Sequence, residues 1–127
     1  MSGCDVCIGG FEGEYAEFFH QSEPRARKPH ECSECGGVIP KGAKYQRCVG
    51  KNDGDFWDYD TCLLCAEIRK VFSCGEVETL GGMLWDSMRD YAFPNLTTAS
   101  PCFRELSAEA KSFVLKKWQV WKGLRGR

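Results

Sequence analysis

The sequence predicts an α+β fold, in which short antiparallel strands precede a C-terminal group of helices. Two β-prone runs, at 44–51 and 55–61, are separated by Asn52-Asp53-Gly54, which is typical of a hairpin turn. Apolar residues recur at helical spacing after residue 61 and again after residue 81. Pairs of cysteines with two residues between them stand at 4/7, 32/35 and 62/65. These features predict a small cysteine-rich unit with a helical extension.

Length and composition fit one compact domain, or two very small ones that share a core. The 127 residues are 43% apolar and 13% aromatic, which is too apolar for a disordered chain. No apolar run reaches the roughly 18 residues of a membrane span, and the first ten residues lack the features of a secretion signal. We therefore expect a cytoplasmic protein with reduced thiols. An odd number of cysteines, nine, also argues against a disulfide framework.

Charge is distributed unevenly along the chain. Residues 1–102 carry ten Lys/Arg and sixteen Asp/Glu, a balance of −6, whereas residues 103–127 carry seven and two, a balance of +5. A basic end on an acidic body could contact phosphate or an acidic partner, and it could equally be a solvated helix face. The candidate contact residues are Arg25, Arg27, Lys28, Lys116, Lys117 and Lys122.

The stretch CSECGG at 32–37 predicts a metal-binding turn, or knuckle. A gap of two residues lets a tight turn direct both sulfurs at one ion, and the following glycines allow positive φ. Val38-Ile39 then predicts a short strand and Pro40-Lys41-Gly42 a turn before the hairpin. The second cysteine pair opens a helix, for which Asp60 or Thr61 is the predicted cap.

The predicted order of elements is that of a treble-clef unit. A knuckle is followed by a hairpin and then by a helix whose first turn carries the second cysteine pair. Zinc takes four ligands in a tetrahedron, and two such pairs supply them. The sequence therefore predicts a zinc site of four cysteines, namely Cys32, Cys35, Cys62 and Cys65. Such a site has no open position, so its role is structural. A redox couple is the weaker interpretation, because no βαβ pattern surrounds the pairs.

Cys4 and Cys7 need two further ligands to hold a second zinc ion. We expect these to be Cys74, which follows the predicted helix, and His30, which lies next to the first knuckle. His20 is the next candidate, and another cysteine is the remaining alternative. Cys48, in a predicted strand, and Cys102, at a predicted helix start, are expected to be core residues.

The C-terminal part is predicted to be helical. Apolar residues from Met83 to Ala92 recur at helical spacing until Pro94, and Ser100-Pro101 begins the next turn. Ser107 is the predicted cap of a last helix, whose apolar stripe is Ala110, Phe113, Val114, Trp118 and Trp121. We expect residues 1–79 to form the zinc-binding domain and residues 80–127 to form a helical extension packed on it.

Residues 25–75 resemble a group of small zinc-binding proteins of tailed bacteriophages and prophages. The shared pattern is Ala-Arg-Lys-x-His-x-Cys-x-x-Cys, a Pro-Gly turn, a Tyr, a Gly-rich hairpin and a second Cys-x-x-Cys. The residues that fall on it are Ala26, Arg27, Lys28, His30, Cys32, Cys35, Cys62 and Cys65. The resemblance implies a phage origin and favours His30 as a ligand. It implies no activity, because the group has no agreed one.

These observations favour a non-enzymatic interaction protein that binds a protein partner. A phage factor that modulates a host protein machine in the host cytoplasm, for example a host-defence inhibitor, would fit. Phe56, Trp57 and Tyr59 lie among four aspartates, which suits a basic protein groove better than phosphate. A nucleic-acid-binding regulator is the alternative. A treble-clef metal-dependent nuclease is a third hypothesis, which is supported only by the analogy of the scaffold. We expect neither a membrane nor a small-molecule substrate.

Overall fold

The predicted α+β class is confirmed by a computed structural model, which describes residues 6–8, 18–52, 54–74 and 82–125. The strands are β1 (Phe18–Ser22), β2 (His30–Glu31), β3 (Val38–Ile39), β4 (Tyr45–Asn52) and β5 (Asp55–Cys62). The helices are α1 (Leu63–Phe72), α2 (Leu84–Ser87), α3 (Pro101–Glu105) and α4 (Ala108–Arg125). A π-helical segment, Met88–Ala92, continues directly from α2.

The predicted hairpin forms the centre of a three-stranded antiparallel sheet with the order β1-β4-β5. Its register pairs Tyr45 with Cys62 at one end and Asn52 with Asp55 at the other. Gly54 adopts a φ of +84° in the turn, where a residue with a Cβ atom is disfavoured. The register brings Cys62, the first cysteine of the second pair, to the open end of the hairpin.

Strands β2 and β3 form a separate two-stranded sheet that encloses the knuckle. His30 pairs with Ile39 and Glu31 with Val38, so residues 32–37 form the connection between the two strands. The preceding segment is also held, because Ala26 N–H donates to Ala43 O at 2.9 Å. The basic stretch at 25–28 therefore begins beside the 42–45 segment and is anchored there by its own backbone.

Helix α1 begins directly at the end of β5. Its N-cap is Cys62, one or two residues later than the predicted caps Thr61 and Asp60, and Thr61 is fully buried instead. The helix buries one side, which includes Cys65, Ile68 and Phe72. This position places both cysteines of the second pair in the first turn of the helix.

The C-terminal helices share one hydrophobic core with the N-terminal elements. Ser107 caps α4 as predicted, since its Oγ accepts a hydrogen bond from Ala110 N–H at 3.2 Å. The core runs from the N-terminal segment through α1 to α4 and includes Val6, Ile8, Ile39, Ile68, Phe72, Leu84, Met88, Phe103 and Val114. The predicted boundary at residue 79 lies outside the described residues. None of the helices in the described ranges has the length and apolarity needed to cross a membrane.

Candidate metal centre

Four cysteine sulfurs from two distant parts of the chain converge on one point. Cys32 and Cys35 come from the knuckle, and Cys62 and Cys65 come from the N-cap and first turn of α1. Their four Sγ atoms all lie within 4.8 Å of one another, and Cys35 Sγ is 4.0 Å from Cys62 Sγ. A tetrahedral zinc ion with Zn–S bonds of about 2.3 Å places its sulfurs about 3.8 Å apart. The cluster therefore has dimensions that can hold such a metal ion.

Backbone N–H groups point at these sulfurs and favour their negative charge. Cys32 Sγ accepts from the N–H groups of Glu34 and Cys62 at 3.4 Å and of Cys35 at 3.5 Å. Cys35 Sγ accepts from Gly37 N–H at 3.4 Å. The knuckle can make these contacts because Gly36 adopts a φ of +75°. The knuckle and the helix start thus supply the environment that a thiolate ligand requires.

Within the cluster, one thiol ionises at the expense of its neighbours. Hydrogen bonds from Cys62 and Cys65 lower the pKa of Cys32 well below its ordinary range. The same bond to Cys32 raises the pKa of Cys62 to about 12 and also raises the pKa of Cys65. Negative charges so close together repel one another, so further ionisation of the cluster requires a cation among the sulfurs.

A buried ion pair connects the knuckle to α1 and to the C-terminal helices. Arg69 of α1 donates to Glu34 Oε2 at 2.8 Å, and the two side chains are 4% and 0% exposed. Arg69 also donates to Gln46 of β4. Glu34 Oε1 accepts the N–H of Leu84, the first residue of α2, at 3.1 Å. Burial raises the pKa of Glu34, and the bonds from Leu84 and Arg69 act in the opposite direction.

His30 does not belong to either cysteine cluster, which corrects the sequence-based expectation. Its Nδ1 lies 3.3 Å from Asp60 Oδ2, and its ring lies 5.0 Å from that of Tyr45. Arg47 binds the same aspartate, with its Nη1 2.9 Å from Asp60 Oδ1. The pairing of β2 with β3 explains this position, because it directs His30 toward the start of the hairpin. His20, the other candidate, is exposed on β1.

A second cluster of sulfurs is formed by Cys7, Cys74 and Cys102. Their Sγ atoms lie within 4.8 Å of one another, and those of Cys74 and Cys102 are 3.5 Å apart. Cys7 and Cys74 are joined in a disulfide, and Cys102 is disulfide-bonded as well, against the expectation of reduced thiols. Cys4, the predicted partner of Cys7, lies outside the described residues. In both clusters the sulfurs lie close enough together to hold a metal ion.

Cys102 is the member of this cluster that sequence reasoning placed elsewhere. It is fully buried, as expected of a core residue, but its sulfur lies beside Cys74 rather than among apolar side chains alone. Only the docking of α3 near the end of α1 brings the two together across 28 residues. Cys48, by contrast, is buried on β4 and belongs to neither cluster.

The six basic candidate residues differ in their contacts within the protein. Arg25 donates to Gly42 O at 3.1 Å, while Arg27, Lys28 and Lys116 are exposed. Lys117 lies over the Trp85 ring at 5.4 Å, and Lys122 lies over the Trp118 ring at 3.6 Å. Three of the six side chains are therefore engaged within the protein.

Comparisons with protein-family models, with curated proteins and with solved structures give no match for this chain. The interpretation of the two clusters therefore rests on their own geometry and chemistry.

Proposed function

We propose that the protein is a non-enzymatic zinc-binding interaction protein, in which Cys32, Cys35, Cys62 and Cys65 hold a structural zinc ion. The observation that carries this proposal is the convergence of four sulfurs within 4.8 Å of one another. Four thiolates fill the tetrahedral positions of zinc and leave none for water or substrate. Soft sulfur ligands in this arrangement also select zinc over hard cations such as magnesium.

The zinc ion would fix the knuckle, the hairpin and α1 relative to one another. These elements follow one another in treble-clef order, and the ion would close the loop from residue 32 to residue 65. A backbone hydrogen bond also joins the two sides of this loop, because Ser33 N–H donates to Asp60 O at 2.7 Å. A unit of this size has little core of its own, so metal binding supplies folding free energy. The ion thus holds the surfaces on which binding would take place.

The hairpin tip is the surface that best fits a protein partner. Phe56 is 77% exposed, although it lies in a regular strand directly after the turn. Two exposed acidic side chains stand on the same strand, Asp55 and Asp58, of which Asp58 is paired with Arg47. An exposed aromatic residue on a rigid element is a typical interface anchor, and the acidic neighbours favour a partner whose groove is basic.

The resemblance of residues 25–75 to phage zinc-binding proteins supports a role during infection. We therefore extend the proposal to a phage factor that binds and modulates a host protein machine in the host cytoplasm. Nucleic-acid binding is the competing proposal. It is less well supported, because Arg25, Lys117 and Lys122 already make contacts within the protein.

A capture experiment with matched variants tests the protein-partner proposal. Tagged, zinc-loaded protein is incubated with nuclease-treated bacterial lysate, beside the variants Phe56→Ala and Val38→Ala. Val38 is a suitable control because it is 74% exposed and lies outside the hairpin. We expect a partner that the wild type and Val38→Ala retain and that Phe56→Ala loses. Equal capture by Phe56→Ala, or capture only without nuclease treatment, contradicts the proposal.

The zinc proposal is tested separately by elemental analysis of purified protein. We expect at least one zinc ion per chain, and a chain that binds none after reduction and exposure to zinc would overturn the proposal.

A further inference from the structure

The second sulfur cluster draws together three separate segments of the chain. Cys7 lies in the N-terminal segment, which is fixed by a hydrogen bond from Ile8 N–H to Phe72 O at 2.8 Å. Cys74 lies just beyond the end of α1, and Cys102 is the second residue of α3. Val6, Ile8 and Cys102 are buried, so the cluster lies at the edge of the core rather than on an open surface.

The sulfurs of two disulfides lie closer to one another than disulfide bonding requires. Cys74 is bonded to Cys7 and Cys102 is disulfide-bonded separately, yet the Sγ atoms of Cys74 and Cys102 are 3.5 Å apart. This distance is close to the sulfur–sulfur edge of about 3.8 Å in a zinc tetrathiolate. It also resembles the 4.0 Å between Cys35 and Cys62 in the first cluster. The two clusters therefore have similar dimensions.

The backbone conformation of Cys74 indicates that contacts of its side chain fix the position of its sulfur atom. Cys74 has a φ of +57°, and it is the residue with a side chain that adopts positive φ within the described ranges. This left-handed conformation is unfavourable for a residue with a Cβ atom, and the end of a helix usually places glycine there. Gly75 follows immediately in the sequence. A cysteine persists in such a conformation where other contacts hold its side chain.

We propose that Cys7, Cys74 and Cys102 bind a second zinc ion when their thiols are reduced. The Cys-x-x-Cys spacing predicts Cys4 as the fourth ligand. This inference extends the proposed zinc-binding function to a second centre, with Cys102 in place of His30. It also makes the metal-bound and disulfide-bonded forms of the cluster mutually exclusive, because a sulfur in a disulfide is not a thiolate ligand.

The conversion between the two forms is a balanced reduction followed by metal binding. A phosphine reductant gives two electrons to each disulfide, the Sγ–Sγ bond breaks, and water supplies two protons and the oxygen of the phosphine oxide. The four thiols then lose protons to buffer as Zn²⁺ binds. The ion would join the N-terminal segment, the end of α1 and the start of α3, which ties the C-terminal helices to the first zinc unit.

Zinc content measured with and without reduction tests this proposal. The 127-residue chain is treated with a phosphine under anaerobic conditions, exposed to zinc, dialysed and analysed for metal, beside an unreduced sample. We expect two zinc ions per chain after reduction and one without it. We expect one in reduced Cys102→Ser and two in reduced His30→Ala. One zinc ion in the reduced wild type overturns the second site.

Cysteine alkylation assigns any missing ion to its site and does not require a variant to fold. The wild type is first reduced with the phosphine, its zinc-loaded and chelator-treated forms are then alkylated, and the modified cysteines are mapped by mass spectrometry. We expect zinc to protect Cys7, Cys74 and Cys102, as well as the four cysteines of the first cluster. Protection of the first cluster alone overturns this inference and leaves the proposed function intact. Protection of the second cluster alone supports this inference and overturns the proposed zinc site of the first cluster.

Discussion

At the scale of single residues, Cys32 is the electrostatic centre of the candidate zinc site. Three backbone N–H groups donate to its sulfur, from the knuckle and from the start of α1. The neighbouring thiols add hydrogen bonds that lower its pKa, while the pKa of Cys62 and of Cys65 rises in return. The metal-free cluster therefore holds a thiolate beside protonated thiols, and it is prepared to exchange protons for a cation.

This arrangement predicts that zinc binding releases protons. The pKa of Cys62 and of Cys65 is raised, so both thiols are protonated at pH 7 without metal, and binding at this site should release at least their two protons. Because protons compete with zinc for the sulfurs, affinity should fall as the pH is lowered. Calorimetry of the reduced Cys102→Ser variant in buffers of different ionisation enthalpy measures this release. A binding heat that is independent of the buffer would show that the thiols are already ionised.

Loss of Arg69, which is not a metal ligand, should destabilise the fold sharply. Arg69→Met leaves the carboxylate of Glu34 buried without its partner, so we expect a loss of about 3–5 kcal/mol in the free energy of unfolding. Urea denaturation of the zinc-loaded variant and wild type measures this loss.

Arg47→Met is the matched control for Arg69→Met. Arg47 also binds two carboxylates, those of Asp58 and Asp60, but its side chain is 37% exposed. We expect this variant to lose only about 0–1 kcal/mol, because exposed ion pairs contribute little to stability. Equal losses for the two variants would contradict the structural role assigned to the buried pair.

At the scale of elements, the start of α4 is held by α1. Glu67 of α1 accepts the backbone N–H of Ser107 at 2.6 Å and the hydroxyl of Ser107 at 2.9 Å. The same hydroxyl caps the helix through Ala110 N–H. One serine thus caps α4 and joins it to the helix that carries the second cysteine pair.

Replacement of this serine should weaken the joint between the two helices. Ser107→Ala removes both the cap and one bond to Glu67, and we expect a loss of about 1–2 kcal/mol in the free energy of unfolding. Ser112→Ala is the control, because Ser112 is exposed within the same helix and should change stability by less than about 0.5 kcal/mol. A loss in Ser107→Ala no larger than in Ser112→Ala would show that the cap contributes nothing.

The elements that sequence reasoning found are those specified by local residues. The hairpin follows from Asn52-Asp53-Gly54 between β-prone runs, and the four cysteines of the first cluster follow from their spacing. The second cluster depends on how α3 docks, which no local pattern encodes, so the sequence predicts a core position for Cys102 and not its place beside Cys74. His30 lies close to the knuckle in sequence, but strand pairing turns it toward Asp60. The strand β1, with the sequence FFHQS, lacks the alternation of apolar and polar residues that would mark it.

At the scale of the whole molecule, a cysteine cluster lies at each end of α1. Cys62 and Cys65 lie at its start in the first cluster, and Cys74 lies beyond its end in the second. The buried side of α1 contributes Ile68 and Phe72 to the core that the N-terminal segment and the C-terminal helices share. Substitutions in either cluster should therefore lower the stability of the whole fold.

Loss of one ligand of the first cluster should accordingly unfold the hairpin and α1. We expect Cys62→Ser to lose zinc and much of its circular dichroism signal, because metal binding supplies folding free energy here. Cys48→Ser is the control, since Cys48 is a buried cysteine that lies outside both clusters, and it should retain the wild-type spectrum. An unchanged spectrum and melting temperature in Cys62→Ser would contradict a structural role for the ion.

The closed zinc site is tested most directly by zinc-edge X-ray absorption of the reduced Cys102→Ser variant, in which the second cluster lacks one of its sulfurs. A closed site of four cysteines predicts four sulfur neighbours at about 2.3 Å from the ion and no nitrogen or oxygen neighbour. A first shell that contains nitrogen or oxygen at about 2.0–2.2 Å would mean an open or mixed-ligand centre, and the proposal of a closed structural zinc site would be wrong.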